Sequence, residues 1–178
     1  VRDHLRLSKA PIIASHSNVR KLCDHPRNLT DDLIRGIAKG GGVIQLNFAA
    51  QYVSADYLEK YNERKALLAP REKEIDERLA GQKEKAEAEK EKLSGSVPRP
   101  PPPPLEDWFE HVDYIATLVG KEYVGLGSDF DGIGAWPREL KDITSIDLVT
   151  LGLLKRGWSK KEIAGFYSGN LLRVWKKV

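Results

Sequence analysis

Short apolar runs alternate along this chain with longer stretches in which apolar residues recur at helical spacing. Residues 11–17 are mostly apolar and turn polar at the end, which predicts a buried parallel strand. Residues 43–48 and 123–129 have the same form. The pattern therefore predicts three buried strands, each with polar side chains at its carboxyl end.

Helical patterns follow the predicted strands. Thr30 is a candidate N-cap, and Asp31 and Asp32 fall in the first turn, where the helix dipole favours negative charge. Glycines 40–42 predict the end of that helix. Further helices are predicted at 105–119, at 145–156, from the capping box of Ser159 and Glu162, and at about 170–176.

This order, strand and helix repeated three times without a tight hairpin, predicts an α/β fold with a parallel sheet. In such folds the functional groups gather at the carboxyl ends of the strands. Three strands that all end in polar residues therefore predict one shared site. Three units are too few for an eight-stranded barrel of about 250 residues, and residues 1–10 resemble a helix running into a strand. Either the sheet is small and open or the chain is the second part of a longer barrel, and the pattern of residues 1–10 favours the second option.

Residues 56–104 differ in character from the rest of the chain. Glu59 to Lys92 includes ten acidic and ten basic residues, which predicts a solvated helix, or a pair of helices broken at Pro70. Five consecutive prolines at 100–104 predict a stiff polyproline II segment. We interpret 56–104 as a helical and Pro-rich insertion within the partial barrel of residues 1–178. A partner-binding role for this insertion stays open.

Composition narrows the function classes. The formal net charge of +3 over 178 residues gives no basic footprint for nucleic acid, so no nucleic-acid partner is expected. The single cysteine, Cys23, excludes an internal disulfide and a multi-cysteine zinc module. No apolar run reaches the roughly 18 residues of a membrane-spanning helix. The compartment stays open.

Two strand ends include residues suited to metal or proton chemistry. His16 is a candidate zinc ligand, and the alternative is a histidine hydrogen-bonded in the core. Asp129 could take a proton from a water and return it to a leaving amine, and the alternative is loop capping. For Asp131, capping beside Gly132 is the favoured interpretation.

The loop after the first strand adds a possible carboxylate-binding group. Arg27 has the side chain best shaped to hold a carboxylate by two hydrogen bonds, although a surface arginine is the alternative. Tyr52 could line the pocket or pack in its loop. His25 is expected to face solvent or cap the loop, and His111 is expected to pack within its helix.

Five segments in order resemble the membrane (renal) dipeptidase family of zinc metallopeptidases. The resemblance covers nearly the whole chain apart from the charged insertion. The segments are Ala10-Pro11-Ile12-Ile13-Ala14-Ser15-His16-Ser17-Asn18, Arg27-Asn28-Leu29-Thr30-Asp31-Asp32, Val43-Ile44-Gln45-Leu46-Asn47-Phe48, Gly125-Leu126-Gly127-Ser128-Asp129-Phe130-Asp131-Gly132 and Gly169-Asn170-Leu171-Leu172-Arg173-Val174.

The resemblance implies a (β/α)8 TIM-type barrel, of which this chain would form about the last three βα units. It implies two zinc ions bridged by a carboxylate and a water, with His16 as one ligand. It further implies that Arg27 holds the substrate carboxylate and that Asp129 transfers protons and contacts the amino end. The implied activity is hydrolysis of dipeptides, including those with a D-residue at the C-terminal position.

The other ligands of the family pattern have no counterpart in this sequence. We therefore expect the chain to need the missing N-terminal part of the barrel, from the same gene product or a separate chain, and to be inactive alone. The complete protein is expected to form a homodimer. Two alternatives stay open, a non-catalytic half-barrel that acts as a binding or assembly module, and an amidase or lactonase on the same barrel.

Overall fold

The computed structural model describes residues 1–177 and has an α/β fold with a parallel sheet. The strands are β1 (Ile13–Ala14), β2 (Val43–Leu46) and β3 (Val124–Leu126). The helices are α1 (Arg2–Leu7), α2 (Asp31–Lys39), α3 (Ala50–Val53), α4 (Ala55–Arg78), α5 (Lys83–Ser96), α6 (Leu105–Val119), α7 (Ile146–Lys155), α8 (Lys160–Ala164) and α9 (Asn170–Trp175). Short 3₁₀ turns lie at Lys121–Tyr123, Phe130–Gly132 and Ile143–Ser145.

The sheet has the order β1-β2-β3, and both pairs of strands are parallel, as the sequence predicts. The strands are shorter than predicted, although hydrogen bonds to the β2 segment continue past β3. Gly127 N donates to Leu46 O at 2.8 Å, and Phe48 N donates to Ser128 O at 3.1 Å. Asp129 then adopts a left-handed conformation with φ 67°, which ends the extended backbone.

The core lies where the helices cover the sheet. Its centre is aromatic, with Phe48 4.9 Å and Phe166 6.2 Å from Trp108 between ring centroids. Helix α2 begins after Thr30, and the capping box of Ser159 and Glu162 begins α8, both as predicted. The helices around this core hold the strand ends, and therefore the candidate site, in a fixed frame.

The amino ends of β2 and β3 are tied to the segment around α9. A π-helical turn, Gly165–Gly169, joins α8 to α9. Arg173 donates from Nη1 to Gly41 O at 2.6 Å, and from Nη2 to Gly42 O and Glu122 O at 3.0 Å each. These bonds pair backbone carbonyls that would otherwise lack partners at the strand starts.

The chain divides into two compact units, one of residues 1–55 with 102 onward and one of Asp56–Pro101. The second unit has its own small core of Leu68, Ile75, Ala86 and Leu93. Lys90 Nζ on α5 pairs with Asp76 Oδ1 on α4 at 2.5 Å. Of the two predicted alternatives, a helix or a pair broken at Pro70, the break at Pro70 does not occur, because α4 runs through that residue. Leu68 and Ile75, on either side of Pro70, are buried in the same small core, and the chain instead turns at Gly81, whose φ is +82°.

Among residues 1–177 no helix combines the length and apolar character that crossing a membrane requires.

Candidate functional site

The carboxyl ends of the three strands come close together. Ser17 N, just past β1, donates to Gln45 O of β2 at 2.9 Å. At Gly127, just past β3, an added Cβ would lie 2.3 Å from Ser15 O and 3.0 Å from Gln45 O. Only glycine fits this position, so the close approach of the strand ends depends on it.

His16 and Arg27 are in direct contact. Nη2 of Arg27 lies 2.5 Å from Nε2 of His16, and Nδ1 of His16 lies 2.7 Å from Ser15 Oγ. A guanidinium always donates, so Nε2 accepts and Nδ1 bears the proton that is donated to Ser15. The sequence placed His16 at the end of the first strand and Arg27 in the loop that follows, and the structure brings them within hydrogen-bonding distance.

Two aromatic rings support the loop that includes Arg27. The Tyr52 ring centroid lies 5.8 Å from Arg27 Cζ and 4.3 Å from the His25 ring. Nδ1 of His25 accepts from Arg27 N at 3.2 Å, so His25 caps the loop. Its pKa is lowered, first by burial and then by the charge of Arg27. Tyr52 therefore lies beside the candidate carboxylate-binding group, with its ring packed against His25.

Asp129 is held by Asn47. Nδ2 of Asn47 donates to Asp129 Oδ2 at 2.9 Å. On the other side, Oδ1 of Asp129 is so close to Gly132 that an added Cβ would lie 2.3 Å away. The carboxylate is thus fixed between the end of β2 and the turn that follows β3.

Asp129 also lines a cavity of about 570 Å³, large enough for a small ligand. Phe130 and Trp136 form an aromatic wall there, with ring centroids 5.8 Å apart. Asp131 is exposed and lines the same cavity.

Three buried asparagines connect these residues, and the sequence analysis assigned them no role. Asn18 and Asn47 are 0% exposed and Asn28 is 2% exposed. Asn18 exchanges two hydrogen bonds with the backbone of Asn47, accepting from its N at 2.9 Å and donating to its O at 3.0 Å. Asn28 Oδ1 accepts from Asn18 N at 3.3 Å, and its Nδ2 donates to Tyr52 O at 2.8 Å. A fully buried asparagine needs partners for each polar atom, and burial is the signal that sequence lacks.

His111 is buried in α6, as expected, and it links the loop after β1 to helix α3. Its Nδ1 accepts from Val19 N at 3.0 Å, and its Nε2 lies 2.8 Å from Val53 O. Burial lowers its pKa to about 4, so it is neutral near pH 7.

The side chains described here do not by themselves fit a complete zinc site. Zinc sites take three or four protein ligands, and residues 1–177 include no group of three or more His, Cys, Asp or Glu side chains placed to hold a metal. His16 is the one candidate ligand, and its Nε2 contacts Arg27.

Comparisons with known proteins identify relatives along the whole chain. The family profile described as "Membrane dipeptidase (Peptidase family M19)" matches residues 1–178. Dipeptidase 3 of Rattus norvegicus is 28% identical over 178 residues, which is 100% of this chain and 28% of that protein. An uncharacterized dipeptidase of Schizosaccharomyces pombe is 30% identical, over 99% of this chain and 33% of that protein.

Solved structures share the fold. The probable dipeptidase PvdM from Pseudomonas aeruginosa superposes with a TM-score of 0.76 at 31% identity, over 99% of this chain and 47% of that one. A metallo peptidase from Rhodobacter sphaeroides, liganded with a phosphinate mimic of the dipeptide L-Ala-D-Ala, gives 0.69 at 22% identity, over 99% of this chain and 38% of that one. The chain thus spans less than half the length of each of these proteins.

Proposed function

Because this chain belongs to the membrane dipeptidase family, peptidase family M19, we propose that it supplies the C-terminal part of the active site of a zinc-dependent dipeptidase. One observation carries the proposal. Arg27, the group suited to a substrate carboxylate, lies 2.5 Å from His16, the candidate metal ligand. A carboxylate-binding group beside a metal ligand suits a short peptide with a free C-terminus.

In this proposal, residues 1–178 form about the last three βα units of a (β/α)8 barrel. The parallel order β1-β2-β3, with the candidate residues at the carboxyl ends, is the arrangement expected for consecutive strands of such a barrel. The remaining units come from the missing N-terminal part, in the same polypeptide or in a separate chain. We further propose that the complete protein is a homodimer.

Arg27 binds the C-terminal carboxylate of the dipeptide through paired hydrogen bonds from its guanidinium. Tyr52 packs against that side chain and limits where it can lie. A site that fixes a free carboxylate one residue from the scissile bond restricts cleavage to dipeptides. The family resemblance extends this to a D-residue at that position, so L-Ala-D-Ala is the substrate to test first.

Asp129 is the proposed catalytic residue. Its carboxylate accepts a proton from the water that adds to the peptide carbonyl. It then delivers the proton to the amine nitrogen as the C–N bond breaks. Asp129 also accepts a hydrogen bond from the free amino group of the substrate, which explains a preference for unblocked dipeptides.

The complete site is proposed to hold two zinc ions, with His16 as the one ligand from this chain once its Nε2 is released from the Arg27 guanidinium. The remaining ligands lie outside residues 1–178. The chain alone is therefore expected to be inactive.

The test compares the chain alone with a polypeptide that also includes the upstream βα units. Zinc per protein is measured by elemental analysis, and hydrolysis of L-Ala-D-Ala and L-Ala-L-Ala is followed. Two zinc ions and activity in the longer protein support the proposal. A folded longer protein without zinc or hydrolysis overturns it.

The incomplete ligand set favours a second candidate, a non-catalytic half-barrel that acts as a binding or assembly module. In that case the longer protein assembles normally without turnover. Hydrolysis of N-acyl amino acids but not of free dipeptides would instead indicate an amidase.

A further inference from the structure

The three buried asparagines form one chain of hydrogen bonds between the residues of the proposed site. The chain runs from Tyr52 O through Asn28, Asn18 and Asn47 to the Asp129 carboxylate. Asn28 adjoins Arg27, and Asn18 is two residues from His16. Asp129 and Tyr52 are therefore bonded to members of this network, Arg27 adjoins one in sequence, and His16 is two residues from another.

We propose that Asn47 is a positioning residue, which fixes the catalytic carboxylate of Asp129 with Asn18 as its support. This inference rests on the proposed function, because it assigns Asp129 a part in the reaction. It adds a residue to the site that lies 82 positions before Asp129 in the sequence.

The amide orientation of Asn47 is determined by its neighbours. Oδ1 of Asn47 accepts from the backbone amide of Ala49, so Nδ2 is the atom that faces Asp129. A flipped amide would place its oxygen against the carboxylate and lose both bonds. The donor is therefore preset before any substrate binds.

The backbone of Asn47 is equally constrained. Asn18 accepts from Asn47 N and donates to Asn47 O, which imitates the pairing of a neighbouring strand. Because both residues are 0% exposed, water cannot replace these bonds. Asn47 thus acts as a rigid support at the end of β2.

Asp129 needs such a support. Its backbone is left-handed with φ 67°, and its carboxylate faces an open cavity that Asp131, Lys141 and Asp142 also line. Without the bond from Asn47, the side chain can rotate toward that cavity and away from the reacting atoms. A small misplacement of a catalytic group lowers the rate strongly.

The test uses Asn47→Asp in the active, longer protein. This change keeps the acceptor for Ala49 N but places a second carboxylate beside Asp129. We expect kcat to fall roughly 10- to 100-fold, the size of a hydrogen bond to a charged group, with KM nearly unchanged. The acid limb of the kcat/KM profile should move to higher pH, since like charges disfavour ionisation.

Asn47→Ser is the second variant, because it removes the donor without adding charge. It should lower kcat and move the acid limb to higher pH by less than Asn47→Asp does, because it removes a donor to the carboxylate but adds no like charge. Asn170→Ser is the matched control. Asn170 is also a buried asparagine, and its Nδ2 donates to Lys121 O and Val124 O at the opposite end of β3. The Asn170→Ser variant should be less stable than the wild type, while its kcat and its pH profile stay unchanged.

A double variant separates positioning from a structural role. Asn47→Asp combined with Asp129→Asn restores a donor and acceptor pair with reversed direction. We expect it to recover much of the thermal stability lost by Asn47→Asp, while turnover stays absent. The inference would be overturned if the double variant recovered both thermal stability and turnover, or if Asn47→Asp kept the wild-type kcat.

A readout without turnover keeps this inference distinct from the proposed function. The ¹³C signal of the Asp129 carboxyl group is titrated by NMR in wild type, Asn47→Asp and Asn170→Ser. A midpoint that moves to higher pH only in Asn47→Asp is the result expected if Asn47 positions Asp129. An unmoved midpoint overturns it, even in an active enzyme. An inactive wild type with a moved midpoint overturns the proposed function alone.

Discussion

Nδ1 of His111 accepts a hydrogen bond at 3.0 Å from the backbone amide of Val19. Val19 follows the buried Asn18, and Nε2 of the same imidazole reaches Val53 O at 2.8 Å. A neutral histidine in α6 thus joins the loop after β1 to helix α3, and both carry residues of the proposed site. Its protonation state therefore affects the stability of that region.

The lowered pKa of His111 predicts that the folded protein loses stability at acidic pH. Its pKa in the folded protein is lowered to about 4 from the ordinary 6.5 by burial. Below about pH 6.5 the unfolded chain binds a proton that the folded chain does not, so stability falls until pH reaches about 4. At pH 5 the expected loss is roughly 2 kcal/mol, at about 1.4 kcal/mol per pH unit.

Chemical denaturation at pH 7 and pH 5 measures this effect. His111→Gln should be less stable than the wild type at pH 7, but its free energy of unfolding should decrease less between pH 7 and pH 5. His4→Gln is the control, because His4 is exposed in α1. Equal pH dependence in wild type and His111→Gln would contradict the prediction.

Arg27→Lys should weaken binding of the substrate carboxylate. Lysine keeps the charge but cannot form two parallel hydrogen bonds. We expect KM for a dipeptide to rise about 10- to 100-fold, with a smaller change in kcat. Steady-state kinetics with a dipeptide and with its C-terminal amide provide the measurement. The amide lacks the carboxylate, so an equal effect on both substrates would exclude this role.

Asp129→Asn should abolish proton transfer while leaving the fold intact. The expected loss in kcat is roughly 10²- to 10⁴-fold. Asp131→Asn is the matched comparison, because Asp131 lines the same cavity and is exposed. We expect Asp131→Asn to change kcat by less than about tenfold, which is below the contribution of a general acid-base catalyst. Similar losses in both variants would argue that the cavity needs negative charge rather than one carboxylate.

Gly127→Ala should destabilise the first unit. The added methyl group would lie 2.3 Å from Ser15 O, so the ends of β1 and β3 must move apart. Overpacking of this kind costs about 1–3 kcal/mol. Gly95→Ala is the control, because no atom lies within 4 Å of its added Cβ and the residue is in helix α5. Urea unfolding should show no loss for Gly95→Ala, and a matching loss in both variants would refute the steric explanation.

The sequence predicted the parallel α/β order and the gathering of polar residues at the strand ends. These features come from local patterns, since apolar runs and caps mark strands and helices. The capping box of Ser159 and Glu162 before α8 is confirmed, whereas Thr30 occupies the N-cap position of α2 without a side-chain cap bond. The roles of His16, Arg27, Tyr52 and Asp129 stay predictions.

The asparagine network could not be predicted in the same way. Asn18, Asn28 and Asn47 occur in segments where asparagine also forms ordinary turns. The bonds that join the three asparagines to one another and to Asp129 span 10 to 82 residues in sequence, so only the folded chain shows that these residues are buried and paired. For a related reason, the sequence left open whether the helix breaks at Pro70. Leu68 and Ile75 pack in the small core of the second unit, and this packing outweighs the local preference of one proline.

The three hydrogen bonds of Arg173 also set a time order for folding in the cell. Gly41 and Gly42 are synthesised 132 and 131 residues before Arg173, and Glu122 is synthesised 51 residues before it. At synthesis rates of about 5–20 residues per second, the two glycine carbonyls wait several seconds for their donor. The amino ends of β2 and β3 therefore lack these contacts until the C-terminal residues have been translated.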